Sequence, residues 1–203
     1  CASDYVPPDL TSLKNVPKNT SQKLAECAAK SLEAMLAEMA ASSGIKNVNA
    51  VHAYVPYASQ EKNFNNRVYN ERYYFRIHKE SEGTYFSDLA YSVLGKSYLN
   101  SAYISKGTYS LSAADAEKVA AKAVAAPGTS DHQTGLGTDL SYGKSADKSF
   151  AQTDAYAWLR ENAYKFGFIE RYPKDAEKMT GFAYEPYHWR FIGQYHAAIM
   201  HRD

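Results

Sequence analysis

The chain has 203 residues, 45% of them hydrophobic and 22% charged, and its 23 Lys and Arg against 22 Asp and Glu leave a net charge of +1. That length can bury a substantial core, and the composition is ordinary for a globular protein. A near-neutral balance without a basic run gives no footing for nucleic acid, and no apolar stretch approaches the roughly 20 residues of a membrane-spanning helix.

Taken in order, residues 1–18 contain Pro7, Pro8 and Pro17 and read as an extended N-terminal segment. Thr20 or Ser21 then caps a helix running to about Ser43, with Gly44 in the stop position. Leu24, Cys27, Leu32, Met35, Leu36 and Met39 form its apolar stripe, which makes Cys27 a small buried thiol. Val48 to Tyr57 is rich in β-branched and aromatic residues and reads as a strand ending near Pro56. Gln60 opens a helix to about Ile77 that carries Arg67, Arg72 and Arg76.

Residues 81–110 differ in texture, with Gly83, Gly95, Gly107, many serines, and Tyr85, Tyr91, Tyr98, Tyr103 and Tyr109. They read as a Tyr-rich insertion of short strands or loops, a hairpin bordering a cleft. The tyrosines either stack on sugar rings or are half-buried strand residues. Ser112 and Asp115 form a capping-box-like start to a helix through Ala126, which Pro127-Gly128 ends. Residues 143–150 are polar connector. Thr153 begins a helix through Lys165, with Tyr156, Leu159 and Ala163 facing inward and Gly167 closing it. Phe168–Tyr172 and Met179–Tyr184 alternate as two strands of an antiparallel hairpin, and extended chain over 187–193 puts His188 on a sheet strand. His196 and His201 fall in a short C-terminal helix as surface residues, and His78 reads the same way. The pattern is α+β: a small antiparallel sheet with flanking helices, in one domain spanning 1–203.

Two segments hold the chemically loaded residues: Ser130 to Asp139 (S-D-H-Q-T-G-L-G-T-D) and Glu185 to Arg190 (E-P-Y-H-W-R). His132, Asp139, Glu185 and His188 are enough for three ligands to a catalytic zinc plus one general base. Gly135 and Gly137 between His132 and Asp139 argue for a turn into a strand. Pro186 between Glu185 and His188 excludes the helix of H-E-x-x-H proteases and leaves an irregular or bulged strand.

The first segment resembles the S-x-H-x-x-G-x-x-x-D signature of the zinc D-Ala-D-Ala carboxypeptidases of the vancomycin-resistance (VanY-like) type. Tyr184 to Gly193 is similar to that family's E-P-W-H-x-R-x-x-G, with Tyr187 where Trp is usual. Residues 5–10, 158–163 and 167–173 also resemble it. The resemblance implies that family's fold with the zinc site on the sheet, zinc ligands at His132, Asp139 and His188, and Glu185 as catalytic base. It implies a peptidoglycan stem peptide, cut at its D-Ala end, as substrate. Ser130 is then a candidate for the substrate's terminal carboxylate, against the ordinary role of a turn serine. Gln60, Tyr54 and Arg171 are further candidate substrate contacts. The family's S-G-Y-R-S-x-x-x-Q becomes His52-Ala53-Tyr54-Val55-Pro56 and then Gln60, so Val55 stands where an arginine is expected. Losing such a donor costs on the order of 2–4 kcal/mol of transition-state stabilisation; Arg67, Arg171 and His52 are the candidates to replace it. The missing arginine also admits an L,D-carboxypeptidase or endopeptidase on the same polymer, or a non-catalytic wall-binding module. The family implies an extracytoplasmic place of action in the cell envelope. Cys1, followed by Ala2 and Ser3, fits a lipid-bearing lipoprotein start or a trimmed chain, and a Cys1–Cys27 disulfide stays open. No protein partner is inferable.

Overall fold

The computed structural model describes residues 1–14, 22–82, 86–143 and 145–202. The expected cap at Thr20 or Ser21, together with Gly83, Tyr85 and the side chains of Arg76 and His78, lies outside the described residues. In chain order the elements are β1 (Leu10–Ser12), β2 (Lys23–Ala25), α1 (Glu26–Ser43), β3 (Asn49–His52), α2 (Tyr57–Glu82), α3 (Asp88–Leu94), α4 (Lys96–Ala102), α5 (Ala113–Ala120), β4 (Gly137–Ser141), α6 (Asp154–Asn162), β5 (Phe168–Glu170), α7 (Glu177–Thr180), β6 (His188–Phe191) and α8 (Gln194–Arg202). The fold is α+β. Among the described residues no helix is long and apolar enough to cross a membrane.

The chain forms two compact units. Residues 1–57 and 128–203 make one, and residues 58–127 make the other.

In the first unit, β3, β4, β6 and β5 form an antiparallel sheet in that order. All five residues of β4 are buried, as a central strand requires. Along β6 the strand period of two sends Trp189 and Phe191 to one face and His188 and Arg190 to the other. Trp189, only 2% exposed, joins Leu140, Phe168, Leu159, Leu32, Met35 and Met39 in one core. Full burial of each such side chain is worth about 1.5–3 kcal/mol, so the opposite face can be given to polar chemistry. Gly44 ends α1 with φ 74 and an N–H to the Ala40 carbonyl, and Thr153 Oγ1 caps α6 by accepting from Tyr156 N at 3.2 Å, both at the positions expected.

Several expectations are corrected here. α1 starts at Glu26, and Leu24 instead occupies β2, which pairs with β1 inside the segment expected to be irregular. Cys27 is out of phase with the buried face of α1, on which Ala28 and Ala29 occupy the first turn; Cys27 and Cys1 are both exposed free thiols. Residues 179–184 are not a strand: 177–180 make one helical turn closed by Gly181 at φ 80, and Met179 is 89% exposed. The partner of β5 is β6.

The 58–127 unit is helical, which overturns the hairpin expected at 81–110. Ser87 caps α3 by accepting from Ala90 N at 3.0 Å, so the serines read as loop formers include a helix start. Gly95 and Gly107, at φ 83 and 66, flank helical segments rather than making hairpin turns. Ser112 caps α5 as expected, accepting from Asp115 N at 3.1 Å, but the helix ends at Ala120. Asp115 Oδ2 accepts the Tyr98 hydroxyl at 2.9 Å and also the Tyr103 hydroxyl. The Tyr98 hydroxyl is pushed up to about 12 by that bond. Tyr103 packs with Phe86, Leu99, Leu111 and Val119 in this unit's own core.

Candidate metal centre

Asp139 sits mid-way along β4, opposite His52 on β3 and opposite His188 on β6. The first pairing depends on a register shift between Ala50 and His52: Ala50 faces Leu140 and His52 faces Asp139, leaving Val51 as the extra residue. A bulge of this kind re-aims the side chains that follow it. The sheet thus lines up two imidazoles on either side of one carboxylate. His52 Nδ1 lies 3.2 Å from Asp139 Oδ2, and His188 Nδ1 lies 2.9 Å from Asp139 Oδ1.

His132 arrives from the loop before β4. Ser130 Oγ accepts from His132 N at 3.2 Å and caps a short 3-10 turn over Asp131–Thr134, which Gly135 ends at φ 69. Gly137 then lets the chain fold back on itself: a Cβ there would stand 3.0 Å from Asp131 Cβ and 3.3 Å from His132 N. The Ala53 carbonyl lies 2.7 Å from His132 Nδ1, so Nδ1 carries the proton and Nε2 presents its lone pair toward Asp139 Oδ1 at 3.5 Å. Val55 N donates to the His132 carbonyl at 3.3 Å, which pins the two segments together.

One donor atom each from His132, Asp139 and His188 lies within 4.8 Å of the others. The two imidazoles meet edge to face, 4.8 Å apart at 86°, so both can aim at a common point. Burial alone would raise the Asp139 carboxyl, but His132, His188 and His52 outweigh it and hold the group well below the usual carboxylate range. Asp139 is therefore ionised and ready as a ligand. Two imidazole nitrogens and one carboxylate form the donor set of a catalytic zinc with one position left open, so the residues present fit that metal.

Glu185 is joined to His188 by a turn. His188 N donates to the Glu185 carbonyl at 3.0 Å, closing a β-turn with Pro186 and Tyr187 at its corners. This replaces the irregular strand expected for E-P-Y-H: Pro186 pre-sets the backbone of the first corner position. Trp189 Nε1 holds the Pro186 carbonyl at 3.1 Å, and Glu185 N donates to the Tyr172 carbonyl at 3.1 Å. Glu185 is buried at 8% exposure. Tyr172 packs against the His188 ring at 5.0 Å, and its hydroxyl is pushed up to about 12: burial raises it, Arg171 opposes, and the Glu185 and Asp139 charges add to the rise.

The profile of the D-alanyl-D-alanine carboxypeptidase (VanY) family matches residues 21–194, most of the chain. The chain belongs to the VanY family of D-alanyl-D-alanine carboxypeptidases. Among VanY relatives, a D-alanyl-D-alanine carboxypeptidase of Enterococcus faecalis is 48% identical over 71 residues, which are 34% of this chain and 25% of that enzyme. The matched segment thus spans a quarter of the enterococcal protein's length. Of solved structures, the LdcB LD-carboxypeptidase is similar at a TM-score of 0.66 and 28% identity, over 99% of this chain and 76% of that one. VanYB in complex with D-alanine-D-alanine is similar at 0.64 and 25%, over 99% and 86%.

The VanY-type candidate substrate contacts fall in different places. Ser130 is buried and its hydroxyl accepts from His132 N, the local role of a turn serine. Tyr54 is half-buried, between Ala53 and Val55, which both bond to His132. Arg171 Nε donates to Asp131 Oδ2 at 3.1 Å, with its guanidinium 4.9 Å over the Tyr172 ring. Gln60 belongs to the 58–127 unit, where its Nε2 donates to the Ala125 carbonyl at 2.6 Å. Arg67 is paired with Glu71 at 2.6 Å in that unit. Sequence reasoning gave no role to Asp131, Arg190 or Tyr172. Asp131 and Arg190 lay inside the two quoted motifs, one step from a histidine and two steps from another, and that adjacency was the available signal.

Proposed function

We propose that this protein is a zinc-dependent D,D-carboxypeptidase that hydrolyses the D-Ala end of peptidoglycan stem peptides. The observation that carries the reading is that donor atoms of His132, Asp139 and His188 lie within 4.8 Å of one another; Glu185, three residues before His188 across the Pro186 turn, is the candidate base. His132 Nε2, Asp139 Oδ1 and His188 Nδ1 would hold the ion. When bound there, zinc supplies a Lewis acid for the scissile carbonyl and lowers the pKa of a water toward 7. Glu185, which is not in the ligand set, takes the proton of the attacking water and returns it to the departing D-alanine amine. No covalent acyl-enzyme forms, since water is the nucleophile. Tyr172, kept protonated, offers a hydrogen-bond donor in the field of Glu185. Ser130 and Arg171 are bonded to the His132 loop, and Tyr54 lies between the two residues that bond to His132; all three are candidate contacts for the peptide. Gln60 is the further candidate carried by the family pattern. The substrate places the enzyme's work outside the cytoplasm, in the cell envelope.

Val55 favours a second reading within the same chemistry. An L,D-carboxypeptidase, as LdcB is, takes a stem that has already lost one D-Ala, and the expected arginine is absent from this chain at position 55. Incubation with defined pentapeptide and tetrapeptide stems, with and without a chelator, decides by product mass. Loss of one alanine from the pentapeptide alone supports the D,D reading, and loss from the tetrapeptide alone supports the L,D one. Turnover undiminished by exhaustive chelation contradicts both.

A further inference from the structure

Asp131 is a buried carboxylate, 7% exposed, that neither a ligand set nor a proton-transfer role uses. Three cationic or protonatable groups face it. Arg171 Nε donates to its Oδ2 at 3.1 Å, Arg190 Nη1 pairs with its Oδ1, and His188 Nε2 lies 3.6 Å from Oδ2. His188 Nε2 is buried and has no hydrogen-bond partner among the described residues, while the other nitrogen of that ring points at Asp139.

The imidazole has two neutral tautomers, and this surrounding treats them differently. With the proton on Nδ1, the lone pair of Nε2 faces the Asp131 carboxylate, which repels it, and Nδ1 has nothing to give a metal. With the proton on Nε2, an N–H faces Asp131 at 3.6 Å and the Nδ1 lone pair faces Asp139 Oδ1 at 2.9 Å, a repulsion that a cation shared by those two atoms and His132 Nε2 would relieve. A carboxylate behind a ligating imidazole is a recurrent way to fix its tautomer and raise its basicity. The two arginines clamp both oxygens of Asp131 from β6 and from the segment after β5, so its aim does not depend on His188 alone. Gly137 leaves room for the Asp131 backbone at this spot.

We propose that Asp131 is the positioning residue of the metal centre: held by Arg171 and Arg190, it keeps the His188 proton on Nε2 and so makes Nδ1 the ligand atom. The proposal rests on the reading of His132, Asp139 and His188 as metal ligands. It assigns Arg171 to the support of the metal site, through Asp131.

The test compares wild type, Asp131→Asn and Asp131→Glu by competition for zinc against a chromophoric chelator, with melting temperatures of the metal-free proteins alongside. Asp131→Asn is expected to raise the zinc Kd about 10–100-fold, and Asp131→Glu to recover part of that loss. In the zinc-loaded wild type, nitrogen-15 NMR of labelled histidine should show His188 protonated at Nε2 and metal-bound through Nδ1. A zinc Kd unchanged in Asp131→Asn, with only the melting temperature lowered, overturns the positioning role and leaves the ligand set standing. Metal bound through Nε2 of His188 overturns it also, whatever the variants do. Wild type that takes up no zinc removes the ligand assignment and this proposal together.

Discussion

His188 Nδ1 stands 2.9 Å from Asp139 Oδ1, directly across the β4–β6 ladder, and the other oxygen of the same carboxylate meets His52 Nδ1 at 3.2 Å. The antiparallel register fixes both distances, so two of the three candidate ligands, Asp139 and His188, are set by strands. Rigid elements hold a ligand set more tightly than loops do.

In the proposed function Glu185 transfers the proton and does not bind the metal. Glu185→Gln should therefore lower kcat by about 10²–10⁴-fold and leave one zinc per chain, as read by metal analysis of the same preparation. Zinc lost along with activity would make Glu185 a ligand.

His52 lies on the oxygen of Asp139 that His188 does not take, with its side chain 56% exposed. Asp139 raises the affinity of His52 for its proton, through the bond between them, while burial opposes. His52→Ala should weaken zinc binding about tenfold, the lower end of what an outer partner of a ligand contributes. A zinc affinity equal to wild type, with turnover lost at saturating zinc, would move His52 from support of the carboxylate to contact with the substrate.

A Cβ at Gly137 would come within 3.0 Å of Asp131 Cβ and 3.1 Å of its carbonyl carbon. Backbone on one side leaves little room for relief, so Gly137→Ala should cost about 1–3 kcal/mol of stability, the usual range for overpacking. Urea denaturation measures it; a midpoint equal to wild type would mean that the 131–137 loop shifts freely.

Glu170 accepts the Tyr156 hydroxyl at 2.9 Å, and Tyr156 in turn accepts from Tyr184 at 3.1 Å. Burial raises the Glu170 carboxyl, while Tyr156 and Arg160 partly offset the rise. A carboxyl whose folded pKa is raised contributes its full stability below the unfolded value, near 4.3, and loses it as pH climbs through the folded one. Melting curves of wild type and Glu170→Gln should therefore diverge in favour of the glutamine variant from about pH 4 toward neutrality. A difference that stays constant with pH would show that the carboxyl is not raised.

The candidate ligands were legible because they are scarce residues at fixed offsets. His132 and Asp139 are joined by a glycine-containing loop, and Glu185 and His188 by a turn that Pro186 starts, so short-range sequence sufficed to pair them. What brings the two pairs together was not legible. It depends on the long-range pairing of β4 with β6, which sets Asp139 opposite His188; His52 joins them through one extra residue at Val51, and a bulge leaves no mark in an alternating apolar run. Strand pairing was misjudged for a related reason: alternation in 179–184 looked like a partner for β5, but the true partner, β6, is the stretch that also carries the ligand. The serines and tyrosines of 86–109 suggested strands by propensity, and a local cap at Ser87 together with apolar contacts around Leu99 and Tyr103 made helices of them. Cys27 turned outward because Ala28, Leu32, Met35 and Met39 set the buried face of α1 and Cys27 is out of phase with them.

The metal centre is tested most directly by an anomalous-diffraction map of crystals grown with zinc, collected at the zinc edge. One strong peak within bonding reach of His132 Nε2, Asp139 and His188 Nδ1, with no fourth protein donor and Glu185 outside the ligand shell, is the predicted result. No peak between those three side chains, or an ion fully enclosed by protein donors, would contradict it.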